Sequence, residues 1–194
     1  HCSVRRQRQM CIRDRWGTDH NGKLRIATTS DGVNTSLLYR DKESDKFKPI
    51  LTTDFKVSVA PLFFTFDNKN LFVASNRGRD KTAIFEFDVN ESKEGKLIFE
   101  HDEVDVSGLM YSKTRKVLTG VNYTVAKRDV EFFDSWRESI QEKLEKKLPG
   151  YEVGITSFSK DEAKAVVVTY SDKSRGTYYY CLLYTSDAAD ERNS

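Results

Sequence analysis

The apolar residues of this chain fall into short alternating or continuous runs, set apart by polar turns, and one layout recurs four times. The first copy has the turn Asp19-His20-Asn21-Gly22, an apolar run at 23–28, a second turn at Ser30-Asp31-Gly32 and a further run at 36–40. The second has Asp67-Asn68-Lys69-Asn70, then 71–75, then Arg77-Gly78-Arg79-Asp80, then 82–87. The third has Ser112-Lys113-Thr114-Arg115 followed by 116–121. The fourth has Ser159-Lys160-Asp161-Glu162, then 163–170, then 172–176, then Thr177-Tyr178-Tyr179-Tyr180. β-Branched and aromatic residues bounded by Gly, Asn and Asp predict strands. The same signature marks further strands at 47–51, 62–66, 96–100 and 154–158.

The first-strand centres, Leu24, Leu71, Val117 and Ala165, recur at a spacing of about 47 residues, within the blade length of propellers built from four-stranded sheets. An antiparallel sandwich with accidental spacing is the competing reading. The turn chemistry recurs along with the distance, and that favours blades. The expected fold is therefore all-β: a partial β-propeller of about three to four antiparallel blades.

One segment departs from the strand pattern. Between Asp134 and Leu148, Trp136, Ile140, Leu144 and Leu148 are four apart and line one face of a helix. Asp134 or Ser135 can cap its start by accepting orphan backbone N–H bonds, and Pro149-Gly150 stops it. Glu142 and Lys146 have the order that favours an i,i+4 pair. The helix, near 134–148, reads as an insertion between strands of the third repeat, packed on the outside or rim of a blade with Trp136 as its anchor.

Both ends are foreign to this pattern. Met10-Cys11-Ile12-Arg13-Asp14 can be encoded atg-tgt-ata-aga-gac, and the reverse complement of that string, one frame over, encodes Leu-Leu-Tyr-Thr, the sequence at 182–185. Residues 1–15 and 181–194 are accordingly read as translated sequencing-adapter DNA, leaving 16–180 as the domain. Only the strand-like composition around Cys181 is expected to extend a strand.

Removing the ends changes the electrostatic picture. The whole chain has 32 Lys/Arg and 30 Asp/Glu, but residues 16–180 hold 26 of each. A case for nucleic acid, which needs clustered positive charge, disappears. Cys2, Cys11 and Cys181 all lie in the end segments, so the domain has neither a disulfide framework nor a thiolate metal site. The longest apolar runs, such as Val166-Val167-Val168, are far too short to cross a membrane.

Catalytic patterns are missing from the sequence. The only glycines four apart, Gly150 and Gly154, enclose Glu152 where a nucleophile elbow needs serine. His20 sits in a turn, and His101 in the acidic run Glu100-His101-Asp102-Glu103, which reads as a solvated loop. Ser75-Asn76-Arg77-Gly78-Arg79-Asp80 could grip a carboxylate through two arginines. The plainer reading is a hairpin turn in which Asn76 and Gly78 take unusual backbone angles and the arginines are solvated. Lys127-Arg128-Asp129 and Arg137 read as surface charge. No catalytic, cofactor-binding or metal-binding residue is assigned, and no cofactor is implied.

The stretch from Trp16 to Ala27, the turn at 75–80, and Phe132-Phe133-Asp134 leading into a helix that ends Leu148-Pro149 resemble the propeller of bacterial prolyl oligopeptidase-family serine peptidases. Acylaminoacyl-peptidase and dipeptidyl-peptidase-like members are the nearest in kind. Ser157 to Asp161 and the hairpin from Asp172 to Tyr180 resemble the same region. The resemblance implies a parent with an N-terminal propeller and a C-terminal α/β-hydrolase domain bearing a Ser-Asp-His triad. In such enzymes the propeller covers the active site and restricts access to peptides and other small acyl substrates. The triad lies outside this stretch, so no catalytic residue is carried over. A stand-alone ligand- or protein-binding β-propeller is the rival reading. Bacterial cytoplasm and periplasm both stay open, and neither nucleic acid nor a membrane span is expected.

Overall fold

The computed structural model describes residues 15–183, which form four separate antiparallel sheets and one helix. The first sheet runs β1 (Arg15–Thr18), β2 (Leu24–Ser30), β3 (Asn34–Tyr39) and β4 (Lys48–Asp54). The second runs β5 (Val59–Phe64), β6 (Leu71–Ser75), β7 (Ala83–Asp88) and β8 (Lys93–Phe99). The third has three strands, β9 (Val106–Ser112), β10 (Val117–Thr124) and β11 (Arg128–Phe132). Helix α1 (Ser135–Lys147) follows, and β12 (Glu152–Phe158), β13 (Lys164–Ser171) and β14 (Ser174–Leu182) make the fourth sheet. In every sheet, strands that are consecutive in sequence are hydrogen-bonded neighbours. This is the all-β architecture that the patterning predicts.

Among the described residues the chain divides into two compact units. Residues 15–109 and 121–130 form one, and 110–120 with 131–183 form the other, so the third sheet contributes to both. In the first unit the continuous apolar runs of β6 and β7 have a direct cause. Strand side chains alternate between faces. Leu71, Val73, Ala83, Phe85 and Phe87 enter one core with Ile26 and Leu37 of the first sheet. Ala74 and Ile84, facing the other way, enter a second core with Val106 and Val121. A sheet covered on both faces needs apolar residues at successive positions. In the second unit β13 buries one face only: Ala165 and Val167 pack under Ile140 and Leu144 of α1.

The four repeat centres, Leu24, Leu71, Val117 and Ala165, all lie on the second strand of their sheets. The hairpin before that strand also repeats in chemistry. Thr18, Thr65, Ser112 and Ser159 succeed one another at intervals of 47 residues. At Thr65 and Ser159 the geometry is the same. The residue's N–H donates to the carbonyl five positions on, and that residue's N–H returns to the hydroxyl: Asn70 to Thr65 Oγ1 at 3.0 Å, and Lys164 to Ser159 Oγ at 3.0 Å. Each hydroxyl donates to an aspartate two residues on, at 2.6 Å to Asp67 and 2.5 Å to Asp161. That bond is the main cause holding both carboxyls below the usual range. Three residues after the hydroxyl, Asn68 (φ 59°) and Glu162 (φ 56°) take the left-handed conformation that lets the chain reverse.

Helix α1 matches the expected 134–148 segment. The Asp134 carboxylate accepts from the Arg137 N–H, and Leu148 closes the far end by donating to the Leu144 carbonyl at 3.0 Å. Its place differs from the expectation. It does not interrupt the third repeat but joins the third sheet to the fourth, and it packs on the fourth. It spans the stretch in which the period would set a fourth strand, the place that β4 and β8 hold in the first two sheets. The strand pattern hides β11, which has only Val130 and Phe132 facing inward, both half-buried, and the small residues Ser107 and Gly108 break the apolar run of β9. Ile140 and Leu144 anchor the helix, while Trp136 stays 38% exposed. The i,i+4 link on its surface is made by Gln141, donating to Glu145 Oε1 at 2.8 Å.

Of the end segments, Arg15 opens β1 opposite Thr28, and Cys181 and Leu182 complete β14 opposite Ala165 and Lys164. Cys181 and Leu183 also pack against the core beneath α1. The remaining residues of 1–15 and 181–194 lie outside the described residues.

Candidate functional site

Each residue weighed for chemistry occupies a definite place. His20 is held in the first hairpin: its N–H donates to Asn68 Oδ1 at 2.9 Å, its Nε2 lies 2.8 Å from the Phe64 carbonyl, and its ring stacks on Phe66. His101 Nδ1 accepts the Glu103 N–H at 3.1 Å, and its ring lies 4.6 Å from that of Tyr123. Both rings thus engage main-chain groups and aromatic neighbours. Among the described residues no group of three His, Cys, Asp or Glu is gathered that could hold a metal ion.

The turn at 75–80 is a hairpin, with two corrections. Gly78 takes a positive φ of 69°, but Asn76 does not, and its side chain is used instead to accept the Ser58 N–H at 2.7 Å. Arg77 is exposed. Arg79 is not a solvated charge: it lies 4.5 Å over the Phe85 ring and donates to Glu100 at 2.7 Å. A paired arginine grip does not form.

Arg137 also departs from its expected place on the surface. It is 6% exposed, lies between the rings of Phe132 and Phe158, and donates to Gln141 Oε1 at 3.3 Å. Burial lowers its pKa to about 10. The long aliphatic stem fills apolar space under the helix, and the guanidinium finds aromatic faces. Lys127, Arg128 and Asp129, by contrast, are exposed.

Two arginine clusters that the sequence reading did not single out are densely hydrogen-bonded. In the first unit, Arg25 projects from β2 with its side chain 9% exposed. It donates to the Asn68 carbonyl at 2.8 Å, to Asp41 at 3.1 Å and to the Tyr39 hydroxyl, lies 3.7 Å from Asp19, and covers the Phe64 ring. These residues line a cleft of about 550 Å³ with Lys23, Asp67, Lys69 and Asp88. In the second unit, Arg115 grips Asp134 with both terminal nitrogens, at 2.9 and 2.7 Å, and gives Nε to Glu162 at 3.0 Å. The Ser112 hydroxyl donates to Glu162 as well, and Trp136 lies beneath the guanidinium. The hydrogen bonds from Arg115 hold the Asp134 carboxyl low. The sequence did carry one signal for the first cluster: Arg25 sits inside the apolar run Leu24-Arg25-Ile26-Ala27, where a charge has to be paired if both faces are covered.

At the opposite end of the first sheet, fixed by the pairing of Asn34 with Asp54, two apolar side chains stand exposed among hydroxyl residues and the carboxylates of Asp31 and Asp54. Phe55 is 80% exposed there and lines a second cleft of about 590 Å³, with Val33 on the neighbouring turn.

Both arginines serve adhesion between sheets, each shared between two carboxylates and reaching the hairpin of the next sheet. This pattern belongs to stacked repeats, where each sheet needs its neighbour. A solved prolyl endopeptidase aligns with 90% of this chain at a TM-score of 0.50 and 14% identity, the match covering 29% of that chain. The sheets have the fold of propeller blades. Dipeptidyl aminopeptidase BIII of Pseudoxanthomonas mexicana is 28% identical over 134 residues, 69% of this chain and 18% of that protein. A chain from a mitotic checkpoint complex aligns at a TM-score of 0.42 with 14% identity and carries no weight here. No family model matches the sequence. The blades thus resemble a peptidase-associated propeller, and the chain spans under a third of the length of either peptidase that it matches.

Proposed function

We propose that this chain is the non-catalytic propeller part of a serine peptidase of the prolyl oligopeptidase kind, gating the access of peptides to an α/β-hydrolase domain of the same parent. The observation that supports this best is the agreement of two comparisons: a sequence likeness to a dipeptidyl aminopeptidase and a fold likeness to a prolyl endopeptidase. In this reading the end that exposes Val33 and Phe55 is the one turned toward the hydrolase domain, because the opposite end is a cleft of mutually paired charges. The end segments, 1–15 and 181–194, are adapter-derived, and recovery of the same residues from an independently cloned genomic locus would overturn that part.

Acyl transfer needs a nucleophile within reach of a base, together with donors for the oxyanion. Here both histidines are engaged by the main chain. The purified 194-residue polypeptide is expected to show no hydrolysis of peptides or esters and no labelling by a fluorophosphonate probe, while the full-length parent labels at one serine. Stoichiometric labelling of the polypeptide itself, abolished by His20→Ala or His101→Ala, would sink the proposal. A parent without a labelling serine would favour the stand-alone binding propeller.

A further inference from the structure

Asn21 is the one asparagine of the sequence that glycine follows. It lies in the hairpin between β1 and β2, and both it and Gly22 are exposed. Its side-chain amide makes no hydrogen bond among the described residues. Asn70, by contrast, gives its amide to Glu86 at 2.8 Å, and Asn76 accepts the Ser58 N–H at 2.7 Å. Gly22 has no side chain of its own to crowd its nitrogen, and a Cβ placed there would meet nothing within 4 Å.

We infer that Asn21-Gly22 is a site of spontaneous covalent modification, in which the Gly22 nitrogen attacks the Asn21 side-chain carbonyl at a rate set by the fastening of the hairpin. The new bond joins Gly22 N to Asn21 Cγ and closes a succinimide ring. The Cγ–Nδ2 bond breaks, and the proton from Gly22 passes through solvent to the departing nitrogen, which leaves as ammonia. Water then opens the ring, at one carbonyl to aspartate and at the other to isoaspartate, whose main chain runs through the side-chain carbon.

The nitrogen is held back at rest. Its N–H donates to the Asp19 carbonyl at 3.0 Å, and a proton so bonded is harder to lose. The hairpin is fastened further by the His20 N–H on Asn68 Oδ1 at 2.9 Å, and by the N–H groups of Asn21 and Lys23 on Asp19 Oδ1. The reaction therefore waits on local opening, and its rate carries the opening equilibrium as a factor. Asp31-Gly32, the one aspartate–glycine pair, is shut by other means. The Asp31 carboxylate accepts the N–H groups of Val33 and Asn34, at 2.9 and 2.7 Å, and stays charged, a form that the next nitrogen does not attack. Isoaspartate at 21 lengthens the main chain inside the hairpin and draws His20 away from Asn68, so the modification loosens the joint between the first two sheets.

The test is timed incubation of the 194-residue chain at mildly alkaline pH, folded and in urea, with peptide mass mapping and isoaspartyl methyltransferase labelling. In the folded chain, residue 21 is expected to convert ahead of every other asparagine, while Asp31 stays intact. Asn68→Gly keeps the left-handed backbone at 68 and removes only the acceptor of the His20 N–H. It is expected to speed conversion about five-fold, the worth of one hydrogen bond. Urea is expected to speed it by at least the same factor. The isoaspartate form is expected to unfold at lower urea than Asn21→Asp, which gains the charge without the longer main chain. No conversion at 21, or equal rates in the folded chain and in urea, would overturn the inference. So would a rate indifferent to Asn68→Gly in a variant of unchanged circular dichroism, or an isoaspartate form as stable as Asn21→Asp.

Discussion

The first two blades and the last two solve the same joining problem with different chemistry. In each pair an arginine of the earlier blade reaches the residue in left-handed conformation at the hairpin of the later one: Arg25 to Asn68, and Arg115 to Glu162. The slot is the same position of the repeat. At Asn68 the acceptor is a main-chain carbonyl, and the side chain is left to take the His20 N–H. At Glu162 the acceptor is a carboxylate, with Asp134 supplying a second one from the start of the helix. Backbone geometry is thus the conserved element of the joint within this molecule, and side-chain chemistry is the variable one. Arg25 reaches the next blade through a carbonyl that does not titrate, its carboxylate partners Asp19 and Asp41 lying in its own blade, whereas the Arg115 joint depends on the charge of two carboxylates.

The comparison breaks most sharply at Arg25. Arg25→Ala strands the Asp19 carboxylate and the Asn68 carbonyl with little access to water, and a loss of about 3–5 kcal/mol is expected in urea unfolding. A loss below about 1 kcal/mol would show that the carbonyl joint does not hold the first two blades together. Arg115→Ala removes three hydrogen bonds, and its side chain is a third exposed, so solvent screens the loss. About 2 kcal/mol is expected, together with a change in Trp136 fluorescence, best read in a Trp16→Phe background.

Acid should separate the two joints without a mutation in either. Bonding to Arg115 depresses the folded-state pKa of Asp134 below its unfolded value of 3.8. Its contribution is therefore present above that value and is lost as pH falls through the lower folded value. The Trp136 signal is expected to hold at neutral pH and to change only as the solution is acidified below about pH 4. A change already complete at pH 6 would contradict the assignment. The smallest effect belongs to Glu162→Gln, which retains an acceptor for Ser112 and Arg115 and gives up only charge. A cost under about 1 kcal/mol is expected, with most of the acid transition intact because Asp134 remains.

The pattern of apolar residues disclosed the second strand of every blade, continuous in β6 where both faces are covered and alternating in β13 where one is. It disclosed the helix to within a residue at each end, because spacing by four and a capping aspartate are local signals. It did not disclose β9, where Ser107 and Gly108 break the apolar run, or β11, where three charged residues are exposed and burial is slight. Arg25 and Arg115 also escaped, for a different reason. Their partners lie in the hairpin of the following blade, about one period along the chain, and no short-range pattern announces such a contact. Arg137 was misplaced because a charged residue on a helix reads as solvated unless two aromatic rings, Phe132 and Phe158, are known to meet over it.

Helix α1 has a consequence for how the chain melts. In a stack of repeats, stability is close to a sum of terms for single repeats and terms for adjacent ones. A fourth strand would have added its free energy to the blade that bears it. By placing Ile140 and Leu144 on β13 instead, the helix moves that contribution into the coupling between the third and fourth repeats. Those two repeats should then lose exchange protection together, as one foldon, and the short separation between α1 and β12 allows their contact to form early in refolding.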